Sequence, residues 1–85
     1  MNDHMFEISV LNSEMKPLKV SPSIYGSLVN CIGLRATISH VGEIRNNQVD
    51  IGVEKGSSGW TRASLETALQ RYPSLSETVI QVKDK

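Results

Sequence analysis

The side chains that could carry out nucleophilic chemistry are Cys31 and His40. A catalytic thiol needs a lowered pKa, which a helix N-terminus or a nearby cation provides. Cys31 instead falls near the C-terminal end of an apolar helical stretch, where the helix dipole disfavours a thiolate. We therefore expect Cys31 to be a buried structural cysteine, and His40 to be a partly buried residue on the apolar side of a strand.

The segment 55–61, Lys-Gly-Ser-Ser-Gly-Trp-Thr, is the part of the chain that most resembles a ligand-binding loop. Gly56 and Gly59 let backbone N–H groups point at an anion, and a helix is expected to begin at Thr61. The spacing matches neither a P-loop nor a nucleophile elbow. Two interpretations remain: a weak anion site formed by Gly56, Gly59 and Thr61, or a connector in which Trp60 packs against the helix.

The sequence shows no clear pattern of residues for a metal site or for an acid–base pair. No Cys/His cluster has zinc spacing. A Cu(II) site at His4 would require removal of Met1. Glu43 and Asp50 are predicted cross-strand neighbours on one face, where solvated acids are a simpler interpretation than an acid–base pair. The sequence therefore predicts a protein without cofactor or metal that is not an enzyme.

Composition excludes several classes of function. The 85 residues carry nine Lys+Arg and nine Asp+Glu, so the formal net charge is zero. This balance gives no basic excess for nucleic acid or membranes. No stretch reaches the ~18 apolar residues of a membrane span, and a single cysteine forms no internal disulfide. We expect one domain over 1–85 in the reducing cytoplasm, with 1–4 and 83–85 frayed.

The hydrophobic pattern predicts strand, helix, strand, strand, helix, strand. Ser21 and Thr61 are expected N-caps of the two helices, with Pro22 at the first helical position. Gly33 is expected in the left-handed conformation after the first helix, and Pro73 is expected to end the second.

A hairpin is predicted around Asn46-Asn47, because Asn tolerates the positive φ of a two-residue loop. This loop places Arg45 opposite Gln48 and Ile44 opposite Val49. Continued along both strands, the same register places His40 opposite Val53 on the apolar face and Val41 on the outer face.

The order of elements is βαββαβ, the split-βαβ or ferredoxin-like pattern of the α+β class. Right-handed crossovers would place both helices on one face of an antiparallel sheet, leaving the other face open. An extra edge segment is expected near 16–20, where Pro17 favours an edge strand or a strap across an element end. A different α+β arrangement of the same elements is the alternative.

The leading functional hypothesis is a small regulatory or inhibitory protein that binds a larger protein, as many phage-encoded and accessory bacterial proteins do. The candidate partner-binding residues lie in the hairpin and the glycine loop: Glu43, Arg45, Asn46, Asn47, Gln48, Asp50, Ser57, Ser58 and Trp60. Pairing of an exposed edge strand would also give a homodimer. The alternatives are the anion-binding loop and, less favoured, nucleic-acid binding by an arginine patch made of Arg35, Arg45, Arg62 and Arg71.

Overall fold

Four strands and two helices make up the fold, which we describe from a computed structural model covering residues 3–54 and 59–85. The elements are β1 (Asp3–Leu11), α1 (Pro22–Gly33), β2 (Ile38–Val41), β3 (Gln48–Glu54), α2 (Arg62–Arg71), a 3-10 turn (Pro73–Leu75) and β4 (Val79–Asp84). The sheet has the order β2-β3-β1-β4, and every neighbouring pair is antiparallel. The predicted small α+β domain with an antiparallel sheet is confirmed.

Strand β1 is central because its alternating residues supply the middle of the core. Phe6, Ile8 and Val10 are completely buried. Their neighbours on β3 and β4 and the inner residues of both helices belong to the same core: Val49, Ile51, Val53, Ile80, Val82, Leu28, Ile32, Leu65 and Leu69. The alternate residues of β1, such as Glu7, lie on the opposite face of the sheet, which is polar.

Both helices begin where the sequence predicts. The Ser21 side chain accepts a hydrogen bond from the Ile24 amide, and Pro22 occupies the first turn. Thr61 and Ser64 form a reciprocal capping box at the start of α2. The expectation for Gly33 is wrong: it is the last residue of α1, followed by Leu34 in the right-handed helical conformation. The Leu34 amide donates to Cys31 O within a tight turn, which needs no left-handed residue.

The segment near 16–20 is a strap and not a strand of the sheet. Pro17 forms an isolated bridge with Leu11, and the Leu18 amide donates to Val10 O at 3.0 Å. The Val20 amide then donates to Asn46 O at 2.9 Å. The strap therefore crosses from the end of β1 to the hairpin loop, as the strap interpretation predicts.

The hairpin begins in the predicted register and then departs from it. Arg45 pairs with Gln48, and Asn46 has a positive φ of 53°. The next observed pair is Val41 with Ile51, so three residues of the first arm face two of the second. A second extra residue lies between Ile38 and His40.

The first of these bulges, between Arg45 and Val41, reverses the predicted orientation of His40 and Val41. His40 pairs with Gly52 instead of Val53 and is exposed on the outer face. A Cβ placed on Gly52 would lie 3.3 Å from that of His40 and 2.5 Å from Met5 Sδ, so these groups share one face. Val41 pairs with the core residue Ile51 and therefore takes the core side, because each extra residue changes the face of those beyond it.

Fraying is expected at 1–4 and 83–85; residues 1 and 2 lie outside the described residues, and the described ends of the chain lie in strands. Asp3 and His4 belong to β1, and β4 continues to Asp84. His4 Nε2 lies 2.7 Å from Asp84 Oδ1, and the Lys85 amide donates to Met5 O at 3.0 Å. The first and last strands are thus paired up to their ends.

Candidate functional site

Trp60, a predicted partner-binding residue, lies in the core and not on the surface. Its side chain is 6% exposed, and its indole Nε1 donates to Ile32 O at 2.9 Å. The Arg35 guanidinium lies 5.0 Å from the centre of the indole ring, a cation–π distance. Trp60 therefore fixes the start of α2 against the end of α1.

The rest of the predicted anion loop contributes structure where it is described. The Thr61 hydroxyl accepts a hydrogen bond from the Ser64 amide in the capping box. The Gly59 amide donates to Arg35 O at 3.2 Å. The remaining predicted residues of this loop lie outside the described residues: Gly56, Ser57 and Ser58.

Asn46 and Asn47 serve the fold as well. Their carbonyl oxygens accept hydrogen bonds from the Val20 and Val10 amides, both at 2.9 Å. The Asn47 side-chain amide also donates to Val10 O at 3.2 Å. The loop thus joins the hairpin to the strap and to the end of β1, and its polar groups are largely engaged within the chain.

The other predicted hairpin residues meet on the open face of the sheet. Glu43, Arg45, Gln48 and Asp50 line one depression, together with Glu7 and Lys85. Asp50 forms an ion pair with Lys85, and Gln48 donates to Ser9 Oγ at 3.2 Å. The depression holds about 50 Å³, far below the ~300–1,000 Å³ of ligand pockets. Glu43 and Asp50 therefore line the same small depression, but the backbone contact of Asp50 across the strands is with Gly42 and not with Glu43, because of the extra residue in this arm.

The four arginines of the predicted patch lie in different places. Arg35 and Arg71 line a shallow groove of about 650 Å³ beside Trp60 and the first turns of α2. Arg45 lines the small depression on the open face. Arg62 forms an ion pair with Glu66. The structure brings together two of the four.

Cys31 is a buried thiol, 2% exposed, in the core beside α2. Burial raises the pKa of Cys31, and the smaller opposing effect of Arg35 does not reverse the shift. A raised pKa leaves little thiolate, so this thiol is a poor nucleophile at neutral pH. Within residues 3–54 and 59–85, no three side chains of His, Cys, Asp or Glu are grouped as metal ligands.

The edge of the sheet at β4 is covered by side chains of α2, which the sequence analysis did not anticipate. Gln70 donates to Thr78 O at 2.6 Å and accepts from the Ile80 amide at 3.0 Å. Glu66 accepts from the Val82 amide at 2.9 Å, and Arg62 donates to Val82 O at 3.2 Å. We call Arg62, Glu66 and Gln70 the α2 edge cover. Their i, i+4, i+8 spacing is the sequence signal that could have revealed it.

The opposite edge of the sheet, along β2, has no such cover. Among residues 3–54 and 59–85, no side chain hydrogen-bonds to the backbone of Ile38–Val41. The Gly42 amide donates to Asp50 O at 2.7 Å. Because inward and outward residues alternate along an antiparallel ladder, the N–H and C=O of Val41 point away from β3. We call the outer side of β2, with these two backbone groups of Val41, the β2 edge.

Two exposed apolar side chains, Val41 and Ile44, lie in β2 and just after it. Of the large hydrophobic residues exposed in the described part of the chain, three come from positions 34–44: Leu34 (74% exposed), Val41 (36%) and Ile44 (38%). The predicted register did not reveal the exposure of Ile44, because it placed Ile44 opposite the core residue Val49 on the apolar face. The bulges turn this arm into an exposed apolar border.

Comparison with known proteins found no matching family model, no matching curated protein and no matching solved structure. None of the helices in the described residues has the length and apolar character that crossing a membrane requires.

Proposed function

We propose that this chain is a small non-catalytic protein with a regulatory or inhibitory role, and that it binds its protein partner by accepting an extended strand at the β2 edge. The observation that carries the proposal is Val41. Its backbone N–H and C=O point away from the sheet, and its side chain and that of Ile44 are exposed beside them. Strand addition uses such backbone groups for affinity and neighbouring side chains for specificity.

The contrast between the two edges supports this choice of surface. The α2 edge cover satisfies the outward backbone groups at Thr78, Ile80 and Val82. Natural sheets protect their edges against unwanted pairing, and an edge left open next to apolar residues marks an interaction site. The small depression and the shallow groove give an enzyme less support, since neither encloses a substrate.

We also propose that the arrangement is ferredoxin-like and that the protein works in the cytoplasm. The order β2-β3-β1-β4, with a helix in each of the two crossovers and one shared core, supports the first statement. A free and buried Cys31 suits a reducing compartment and supports the second.

The test is affinity capture of the full chain from its native lysate with two substitutions at one position. V41P removes the outward N–H, and V41T keeps both the N–H and the branched shape. We expect a specific partner to bind the wild type and V41T and to be lost with V41P. A partner retained equally by all three chains would show that the β2 edge is not the binding surface.

A further inference from the structure

We propose that the shallow groove along α2 binds an acidic peptide segment of a partner protein, with two carboxylates of that segment on Arg35 and Arg71. We call this depression the α2 groove. Its lining includes both arginines and four small side chains of α2: Ala63, Ser64, Thr67 and Ala68. The inference goes beyond the proposed function, because it uses no backbone group of the β2 edge.

The charge of the α2 groove is positive and is not balanced by acidic residues. None of its described lining residues is an Asp or a Glu. Within residues 3–54 and 59–85, neither Arg35 nor Arg71 forms an ion pair. The other arginines of the predicted patch differ, since Arg62 pairs with Glu66 and Arg45 lines a depression with three carboxylates. A carboxylate from outside therefore meets uncompensated positive charge in the α2 groove.

Arg35 is positioned before any peptide binds. Its guanidinium lies 5.0 Å from the centre of the Trp60 ring, and the indole N–H donates to Ile32 O at 2.9 Å. A guanidinium that lies over a ring keeps N–H groups around its rim, and these donate to a carboxylate in pairs. A donor that is already held in place loses less conformational entropy on binding.

The length of α2 sets the spacing of the two carboxylates. Arg35 lies beside Trp60, just before the helix, and Arg71 is the last residue of the helix. The ten residues of α2 rise about 15 Å, and the side chain of Arg71 leans back towards the start of the helix. In an extended peptide, residues four apart lie about 13 Å apart on one face. Acidic residues at positions i and i+4 therefore reach both arginines.

The shape and the chemistry of the α2 groove favour a peptide over other anions. The groove is long and shallow, so a small anion contacts one arginine and leaves the other without a partner. Single-stranded nucleic acid binds through several cations along its backbone and through aromatic rings on which its bases stack. Trp60 is the aromatic residue among the described lining residues, and it is 6% exposed.

The test is an NMR titration of the isotope-labelled full chain with a short synthetic peptide of Gly and Ser that carries two glutamates at positions i and i+4. Its ends are acetylated and amidated to remove their charges. We expect shifts of the Trp60 indole N–H and of the amides of 61–71, and weaker binding at high salt. A peptide of the same composition with adjacent glutamates should bind at least about twofold more weakly, because it reaches one arginine.

The matched variants are R71E and R45E, which change the net charge by the same amount at two exposed arginines. We expect R71E to raise the dissociation constant at least about fivefold, and R45E to raise it less than about twofold. R71Q removes the charge without reversing it at the end of α2, and should weaken binding by an intermediate factor.

Three results would overturn the inference: no shifts in the α2 groove, equal weakening by R71E and R45E, or tighter binding of a single-stranded oligonucleotide of the same charge. V41P should bind the peptide as the wild type does, since Val41 does not line the groove. Failure of the peptide to bind therefore leaves the proposed role of the β2 edge to be decided by its own test.

Discussion

The two edges of the sheet differ in whether side chains of the same chain satisfy their outward backbone N–H and C=O groups. At β4, Gln70 acts like a neighbouring strand, since its amide both donates to a backbone carbonyl and accepts from a backbone amide. Glu66 and Arg62 continue the pattern one and two turns earlier along α2. At β2, the outward groups of Val41 face no side chain of the described chain, and the strand has only four residues.

This difference shows that an edge can be protected by a helix of the same chain when the spacing of the helix matches the spacing of the strand. Residues four apart in a helix lie about 6 Å apart along its axis, and alternate residues of a strand lie about 6.7 Å apart. Arg62, Glu66 and Gln70 can therefore reach successive outward groups of β4. An edge without such a helix stays open to another molecule.

The largest expected difference comes from placing proline at the two edges. V82P removes the N–H that binds Glu66 and alters a side chain that is 2% exposed. We expect the free energy of unfolding to fall by about 2–4 kcal/mol. V41P removes an N–H that no described residue accepts, so its expected cost is below about 1 kcal/mol. Urea unfolding at low protein concentration, where self-association does not contribute, measures both. Equal losses would contradict the contrast between the edges.

The next effect concerns Glu66. E66A leaves the Val82 amide without its acceptor and Arg62 without its ionic partner, at an expected cost of about 1–2 kcal/mol. It also uncovers the β4 edge, so we expect new association that persists in the double variant E66A/V41P. Sedimentation velocity measures the association. T67A, at an exposed neighbouring position of α2, is the control and should change neither property.

A smaller, pH-dependent effect is expected at Gln70. Q70E keeps the acceptor for Ile80 but turns a carboxylate towards Thr78 O, at an expected cost of about 1 kcal/mol at neutral pH. A protonated carboxyl donates to that carbonyl, so folding raises the pKa of the introduced group. The deficit relative to the wild type should therefore shrink as the pH falls towards about 4. Q70A lacks the carboxyl. Its loss of unfolding free energy relative to the wild type, measured by urea unfolding, should therefore not change with pH across this range.

The last prediction concerns the rate at which the buried thiol of Cys31 is alkylated. Because burial raises the pKa of this thiol, alkylation of the native protein should be slow and should depend on opening of the core. We expect V82P to speed alkylation at least about thirtyfold, since its expected loss is about 2–4 kcal/mol and each ~1.4 kcal/mol is a tenfold change in the open population. V41P should leave the rate at the wild-type value. Equal acceleration in both variants would place the β2 edge within the core's cooperative unit.

Local signals in the sequence predicted where the elements begin and which side chains cap them. Ser21 and Thr61 are confirmed as N-caps, and the pair Arg45–Gln48 is confirmed across the hairpin loop. These features depend on residues close in sequence. The face occupied by His40 depends instead on one extra residue between Val41 and Arg45, which alternation alone does not reveal.

The candidate site was less predictable than the fold because polar surface residues have several potential uses. Asn46 and Asn47 are exposed turn residues by type, but their carbonyls hold the strap and β1. Trp60 is a typical interface residue by type, but its indole lies against Ile32. Glu43 and Arg45 remain on the surface as predicted, and the β2 edge beside them became visible only from the sheet order.

The position of β1 at the centre of the sheet has a consequence for synthesis on the ribosome. The first strand to emerge needs β3 on one side and β4 on the other, and its contact between His4 and Asp84 joins residues 80 positions apart in sequence. Until β4 has emerged, the apolar side chains of β1 have an incomplete cover, and a chaperone could bind them. Of the four strands of this sheet, β1 is therefore made first, but it gains its second neighbouring strand only when β4 has been made.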